Sequence, residues 1–219
     1  MKTVTLFNEL KKYSLPDWCA YLFAGEPLRN KITADKQKEL INGAVNCGQQ
    51  FADEMRDQYG TIDAAQLADK LCKVTHVDVP PIVNPVLLAS LTEPNDLKVF
   101  DQPIQELVNL ELPDFTKRVI LNIVMGHELF HFLEGQHPDA FPQTAKVDLW
   151  HVGSYHHRFT VTVVSEIAAM SFYWRLNRLS YSPLVLNILL LQKYDSHLER
   201  LRKTINVDKQ SKHEQIVVR

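Results

Sequence analysis

The chain has 219 residues, 45% of them apolar, enough for one substantial core or a core with a helical annex. A formal charge of −2 carries no excess basicity, which excludes a nucleic-acid groove or an anionic-membrane surface as the default reading. The three cysteines, Cys19, Cys47 and Cys72, are odd in number and lack CxxC spacing, so they read as reduced thiols rather than a disulfide framework or zinc ribbon.

The opening "MKTVTLFNELKKYSLPDW" has no apolar block of signal-peptide length. The most apolar run, Leu184 to Leu191, falls far short of the ~20 residues of a membrane span. The expectation is a cytoplasmic protein with no membrane contact. Residues 1–33 read as an N-terminal helical segment, 34–180 as the central core, and 181–219 as a C-terminal helix and tail, all within one compact domain.

Between 34 and 59, Leu40, Ala44, Cys47, Phe51 and Met55 recur at steps of three and four with charges between them, which predicts one long helix. Gly60 ends it, Thr61 is placed to cap the next helix, and that helix runs to Cys72. "KVTHVDV" (73–79) alternates as a strand does and stops at Pro80-Pro81; "LKVFD" (97–101) is a second strand, after the turn-forming "EPND".

A helix over 115–134, opened by Pro113-Asp114 and closed by Gly135, is the clearest feature of the chain. Residues 136–158 read as a polar loop. A helix from Val161 to Leu179 follows. Ser182-Pro183 then opens a last helix to Ile205, and the tail from Asp208 is polar. The fold class is α+β: mostly helical, with a small mixed β-sheet packed on the 115–134 helix.

That helix carries "HELFH" at 127–131. Four residues advance an α-helix by about 400°, so His127 and His131 project from one face roughly 6 Å apart along the axis, within reach of one zinc ion. Glu128, about 100° around, is placed to take a proton from a water that the metal has acidified. The plain alternative is two satisfied histidines on an ordinary helix. The apolar surroundings, "VILNIVM" before the motif and "LFHFL" around it, argue against it, because buried imidazoles and a carboxylate need partners.

A catalytic zinc keeps three protein ligands and an open position. His137 would give the spacing of the long HExxHxxGxxH signature, but Glu134 stands where that signature needs glycine, and Gly135 comes one residue late. Glu166 is the preferred third ligand, as the single acidic residue of "TVTVVSEIAAMSFYW", on an otherwise apolar face. Its alternative role is an ion pair with Arg175 or Arg178. Asp148, His151, His156 and His157 are further ligand candidates. Tyr155, His156 and His157 are also candidates to contact substrate or the developing oxyanion. Met170 reads as core.

The pairing of "HELFH" with "EIAAMSF", in which Glu166, Ala169 and Phe172 follow an E-x-x-A-x-x-F pattern, resembles the ImmA/IrrE family of zinc metallopeptidases, a gluzincin-like group. "LADKLCKVTHVDV" upstream is similar to that family's helix-then-strand entry to its small sheet. Phe130 departs from the family's small residue before the second histidine, and no helix-turn-helix segment is visible at either end. The resemblance implies a zincin-like fold and a cytoplasmic protease whose substrate is a regulatory protein such as a transcriptional repressor, with His127, His131 and Glu166 on Zn2+ and Glu128 as general base. Two other readings stay open. One is a different zinc amidase, although the upstream cysteine motif of peptide deformylases is absent. The other is a non-catalytic metal-binding sensor of the same fold.

Overall fold

The computed structural model describes residues 3–60, 63–78, 87–113, 115–152, 155–191 and 201–204, with the side chains of 149–152 and 155–158 outside the description. Helix α1 (Thr3–Leu10) leads into α2 (Leu15–Phe23), which opens on a capping box: Ser14 and Asp17 each accept from the other's backbone N–H. Helix α3 (Ala34–Tyr59) has the bounds its periodicity predicts. Thr33 caps its start, and Gly60, at φ 61°, ends it in the left-handed conformation that suits glycine. All five residues of the predicted stripe are buried.

Helix α4 (Ala64–Leu71) is capped by Asp63, whose carboxylate accepts from Gln66 N–H; Thr61, the expected cap, lies outside the described residues. Strand β1 (Lys73–Val77) follows, and Pro80-Pro81 lies outside the described residues. Strands β2 (Ala89–Thr92) and β3 (Asp96–Phe100) complete a mixed sheet of order β1-β3-β2, with β1 parallel and β2 antiparallel to β3. Strand β2 and the helix α5 (Asp101–Val108) were not expected from the sequence. Pro103 of α5 falls in the first turn, where its missing N–H costs no helical bond.

Helix α6 (Lys117–Gln136) begins and ends two residues later than predicted. Thr116 caps it, accepting from Val119 N–H; Gly135 is inside the helix, and His137 is the C-terminal cap. The stretch 136–158 is not simply loop. It contains the short α7 (Phe141–Thr144) and most of an antiparallel hairpin, β4 (Lys146–Val152) with β5 (Tyr155–Thr160).

Helix α8 (Val163–Leu176) is nearly all buried and packs along α3. The contact is close enough that a Cβ on Gly48 would fall 2.2 Å from the Ala168 carbonyl oxygen. Helix α8 ends with Leu179 N–H closing onto the Trp174 carbonyl at 3.1 Å, which places Arg178 at φ 49°. Helix α9 (Val185–Leu191) covers only the start of the expected last helix; residues 201–204 are helical, and 192–200 are outside the described residues. One hydrophobic cluster runs from Leu6 to Leu201 and includes Cys19, Cys47 and Cys72, all free thiols. No helix among the described residues is long and apolar enough to cross a membrane.

Candidate metal centre

Helix α6 buries residues on several sides, Ile120, Ile123, Val124, Leu129, Phe130 and Leu133 among them. His127 and His131 are half-buried on it, with side chains 28% and 22% exposed. Glu166 reaches the same point from the first turn of α8, the helix packed against α6. The Nε2 atoms of the two histidines are 3.1 Å apart; Glu166 Oε2 is 3.4 Å from His127 Nε2, and Oε1 is 3.8 Å from His131 Nε2.

These three side chains form a group able to hold a metal ion, one donor atom from each lying within 4.8 Å of the others. Donors about 2.0–2.1 Å from a tetrahedral zinc are separated by about 3.3 Å, close to the distances found here. Two imidazole nitrogens and one carboxylate oxygen also suit zinc or another first-row ion better than calcium or magnesium, which prefer all-oxygen shells.

The electrostatics favour a cation at this point. Burial works against a charged His127, but the hydrogen bond and charge of Glu166 outweigh it and raise the imidazole well above its usual value. Burial likewise works against the Glu166 carboxylate, yet His127 and His131 hold its pKa well below the usual range.

His131 has a further partner that the sequence reading missed. Its Nδ1 is 3.3 Å from Glu134 Oε2 and 3.2 Å from Ser165 Oγ, and the Ser165 hydroxyl donates to Glu134 Oε2 at 2.6 Å. Glu134 is 4% exposed, so this carboxylate is committed to the contact. An N–H on Nδ1 donating to Glu134 leaves the Nε2 lone pair free for a metal. The available signal was spacing: Glu134 is three residues beyond His131 and therefore on the same helix face.

Glu128 is half-buried and outside the triangle, but it lines the same cleft as His127, His131 and Glu166. This cleft has a volume of about 580 Å3 and is walled mainly by aliphatic side chains from α6, α8, α9 and residues 87–89. Ala89 and Ser90 bring β2, one of the two edge strands of its sheet, to the same cavity.

The remaining candidates fall elsewhere or outside the description. His137 caps α6 and packs its ring edge-on against Phe51, with centroids 5.1 Å apart. Arg175 pairs with Asp53 and not with Glu166. Asp148 is exposed on β4, and His151 belongs to the same strand. Tyr155, His156 and His157 are in β5, and their side chains are outside the described set. Met170 is fully buried, as expected, and also lines the cleft. Comparisons of the chain with protein-family models, with curated proteins and with solved structures find no match.

Proposed function

We propose that the protein is a zinc-dependent endopeptidase of zincin type. The observation that carries this reading is a carboxylate, Glu128, beside the His127–His131–Glu166 triangle and opening onto the same cleft without belonging to the triangle. A site built only to hold a structural ion closes all four positions and needs no such neighbour. Zinc in the triangle would supply a Lewis acid that polarises a carbonyl and acidifies water.

Glu128 then takes the proton of the attacking water and delivers it to the departing amine, the two halves of general acid–base catalysis. Glu134 holds the His131 ring in the tautomer that leaves Nε2 available. Strand β2 offers an edge along which an extended peptide can lie, with the aliphatic walls receiving its side chains. The resemblance to the ImmA/IrrE family extends the proposal to a regulatory protein, such as a DNA-binding repressor, as the substrate.

The test is cleavage of a peptide library, and of a candidate repressor, by zinc-loaded protein and by Glu128→Gln and His131→Ala variants. Glu128→Gln should keep the metal and lose about 10²–10⁴ in rate. His131→Ala should lose metal and cleavage together. Equal rates for wild type and Glu128→Gln would overturn the mechanism, and full metal binding with no cleavage of any substrate would favour the sensor reading.

A further inference from the structure

A second cleft, of about 540 Å3, is formed by α2, α3 and the end of α8 and is lined by Arg56, Arg175, Arg178, Trp174, Gln49 and Leu15. No carboxylate lines it among the described residues. Asp53, the one acid among the described residues engaged with these arginines, orders two of them. It accepts from Arg175 Nε at 2.9 Å and Nη2 at 2.7 Å, and also from Arg56. Each guanidinium has five N–H donors, so both keep several for a further acceptor.

Arg178 forms no ion pair among the described residues. Among the described residues, three arginines against one aspartate leave a surplus of two positive charges around one concavity. Beside them the indole of Trp174 is fixed by its Nε1–H, which donates to the Leu179 carbonyl at 2.9 Å. The position of Arg178 adds to the pattern. It occupies a left-handed turn, φ 49°, of the kind glycine usually fills.

We propose that this cleft binds a small molecule in which a phosphate monoester is joined to a flat ring. The surplus of two charges matches a phosphate monoester, which carries about −1.5 to −2 at neutral pH. Guanidinium groups engage phosphate oxygens in pairs, and they also stack with aromatic faces. The volume far exceeds that of inorganic phosphate and falls in the ~300–1,000 Å3 range of small-molecule sites. Trp174 supplies the surface for the ring. The site is independent of the metal centre, although α8 contributes Glu166 to one and Trp174 and Arg175 to the other.

The experiment is calorimetric titration of the full chain at low ionic strength with four probes: AMP, phenyl phosphate, adenosine and inorganic phosphate. AMP or phenyl phosphate should bind saturably with Kd of about 1 mM or tighter. Adenosine and inorganic phosphate should each bind at least tenfold more weakly. Tighter binding of AMP assigns a nucleotide; tighter binding of phenyl phosphate assigns an aryl phosphate.

Arg178→Gly is the decisive variant, because glycine suits the backbone at that position. It should weaken binding at least tenfold with no fall in Tm. No saturable binding of either ester, equal binding of inorganic phosphate, or unchanged affinity in Arg178→Gly would overturn the proposal.

Discussion

Glu134 Oε2 lies 3.3 Å from His131 Nδ1, while the other nitrogen of that ring, Nε2, is 3.1 Å from His127 Nε2. The buried carboxylate therefore fixes both the rotation of the imidazole and the nitrogen that carries its proton. Glu134→Gln keeps the shape but removes the charge, and it can accept only weakly from both the ring and Ser165. Zinc affinity should fall about 10- to 100-fold, as for other partners of metal-bound histidines. Competition against a chromophoric chelator measures it, and unchanged affinity would show that Glu134 only fills space.

Zinc should stabilise the fold. A ligand at about 100 times its Kd contributes roughly 2.7 kcal/mol. At ~2–4 °C per kcal/mol for a domain of this size, Tm should rise by about 5–10 °C. His131→Ala and Glu166→Ala should abolish most of that rise, whereas Glu128→Gln should keep it. A differential scanning experiment with and without zinc decides the matter, and equal shifts for all four proteins would place the ion elsewhere.

Two glycines of α6 should respond oppositely to alanine. A Cβ on Gly126 would fall 2.0 Å from Cδ2 of the buried Tyr173, whereas a Cβ on Gly135 meets nothing within 4 Å. Gly126→Ala forces α6 and α8 to repack and should cost about 1–3 kcal/mol. Gly135→Ala lies inside the helix and should gain about 0.5–1 kcal/mol from the lower backbone entropy of alanine. Chemical denaturation of the two variants supplies the comparison; destabilisation by Gly135→Ala would mean that the helix does not continue through that residue.

Arg202 joins the 201–204 segment to α1: Nη2 donates to Glu9 Oε2 at 2.8 Å and Nε to Oε1 at 3.0 Å. The hydrogen bond from Arg202 is the main cause that holds the Glu9 carboxyl below its usual 4.5. The folded state therefore releases this proton more readily than the unfolded one. The pair's contribution is complete above about pH 4.5 and disappears as pH falls through the lower folded value. With the side chains 42% and 30% exposed, it should amount to only ~0.2–1 kcal/mol. Glu9→Gln should show that deficit at pH 7 and lose it in acid, measured by urea denaturation; a deficit that grew in acid would contradict the pairing.

The parts of the fold that could be read from sequence are those with long periodicity. The stripe of α3 runs from Leu40 to Met55, about four turns, and the helix caps are a threonine and a glycine with conventional roles. The three residues that could hold an ion were legible for a related reason: His127 and His131 share one helix, and Glu166 is the one acid on an apolar face. Short elements gave no such signal. Strand β2 has four residues, and α5 opens with Asp-Gln-Pro, which reads equally well as a turn. The β4–β5 hairpin did leave a trace: Val152 pairs with Tyr155 across Gly153-Ser154, a dipeptide that favours two-residue connections. For Glu134 the sequence carries only its spacing from His131; the Ser165 hydroxyl that completes the contact approaches from another helix.

The approach of α6 to α8 has one more consequence. Where they touch, Gly126 leaves no gap beside the Tyr173 ring, so the backbones that carry the two histidines and Glu166 are held by a contact between helices and not by a yielding loop. On the proposed reading, the triangle would select an ion by size and donor preference. Calcium takes six to eight oxygens at about 2.3–2.6 Å, and a triangle of two nitrogens and a carboxylate cannot widen to offer them without prising the helices apart. Magnesium would have to surrender waters that it dehydrates reluctantly. If the triangle is a metal centre, abundance alone would not decide its occupant: a scarce ion that fits would displace a plentiful one that does not.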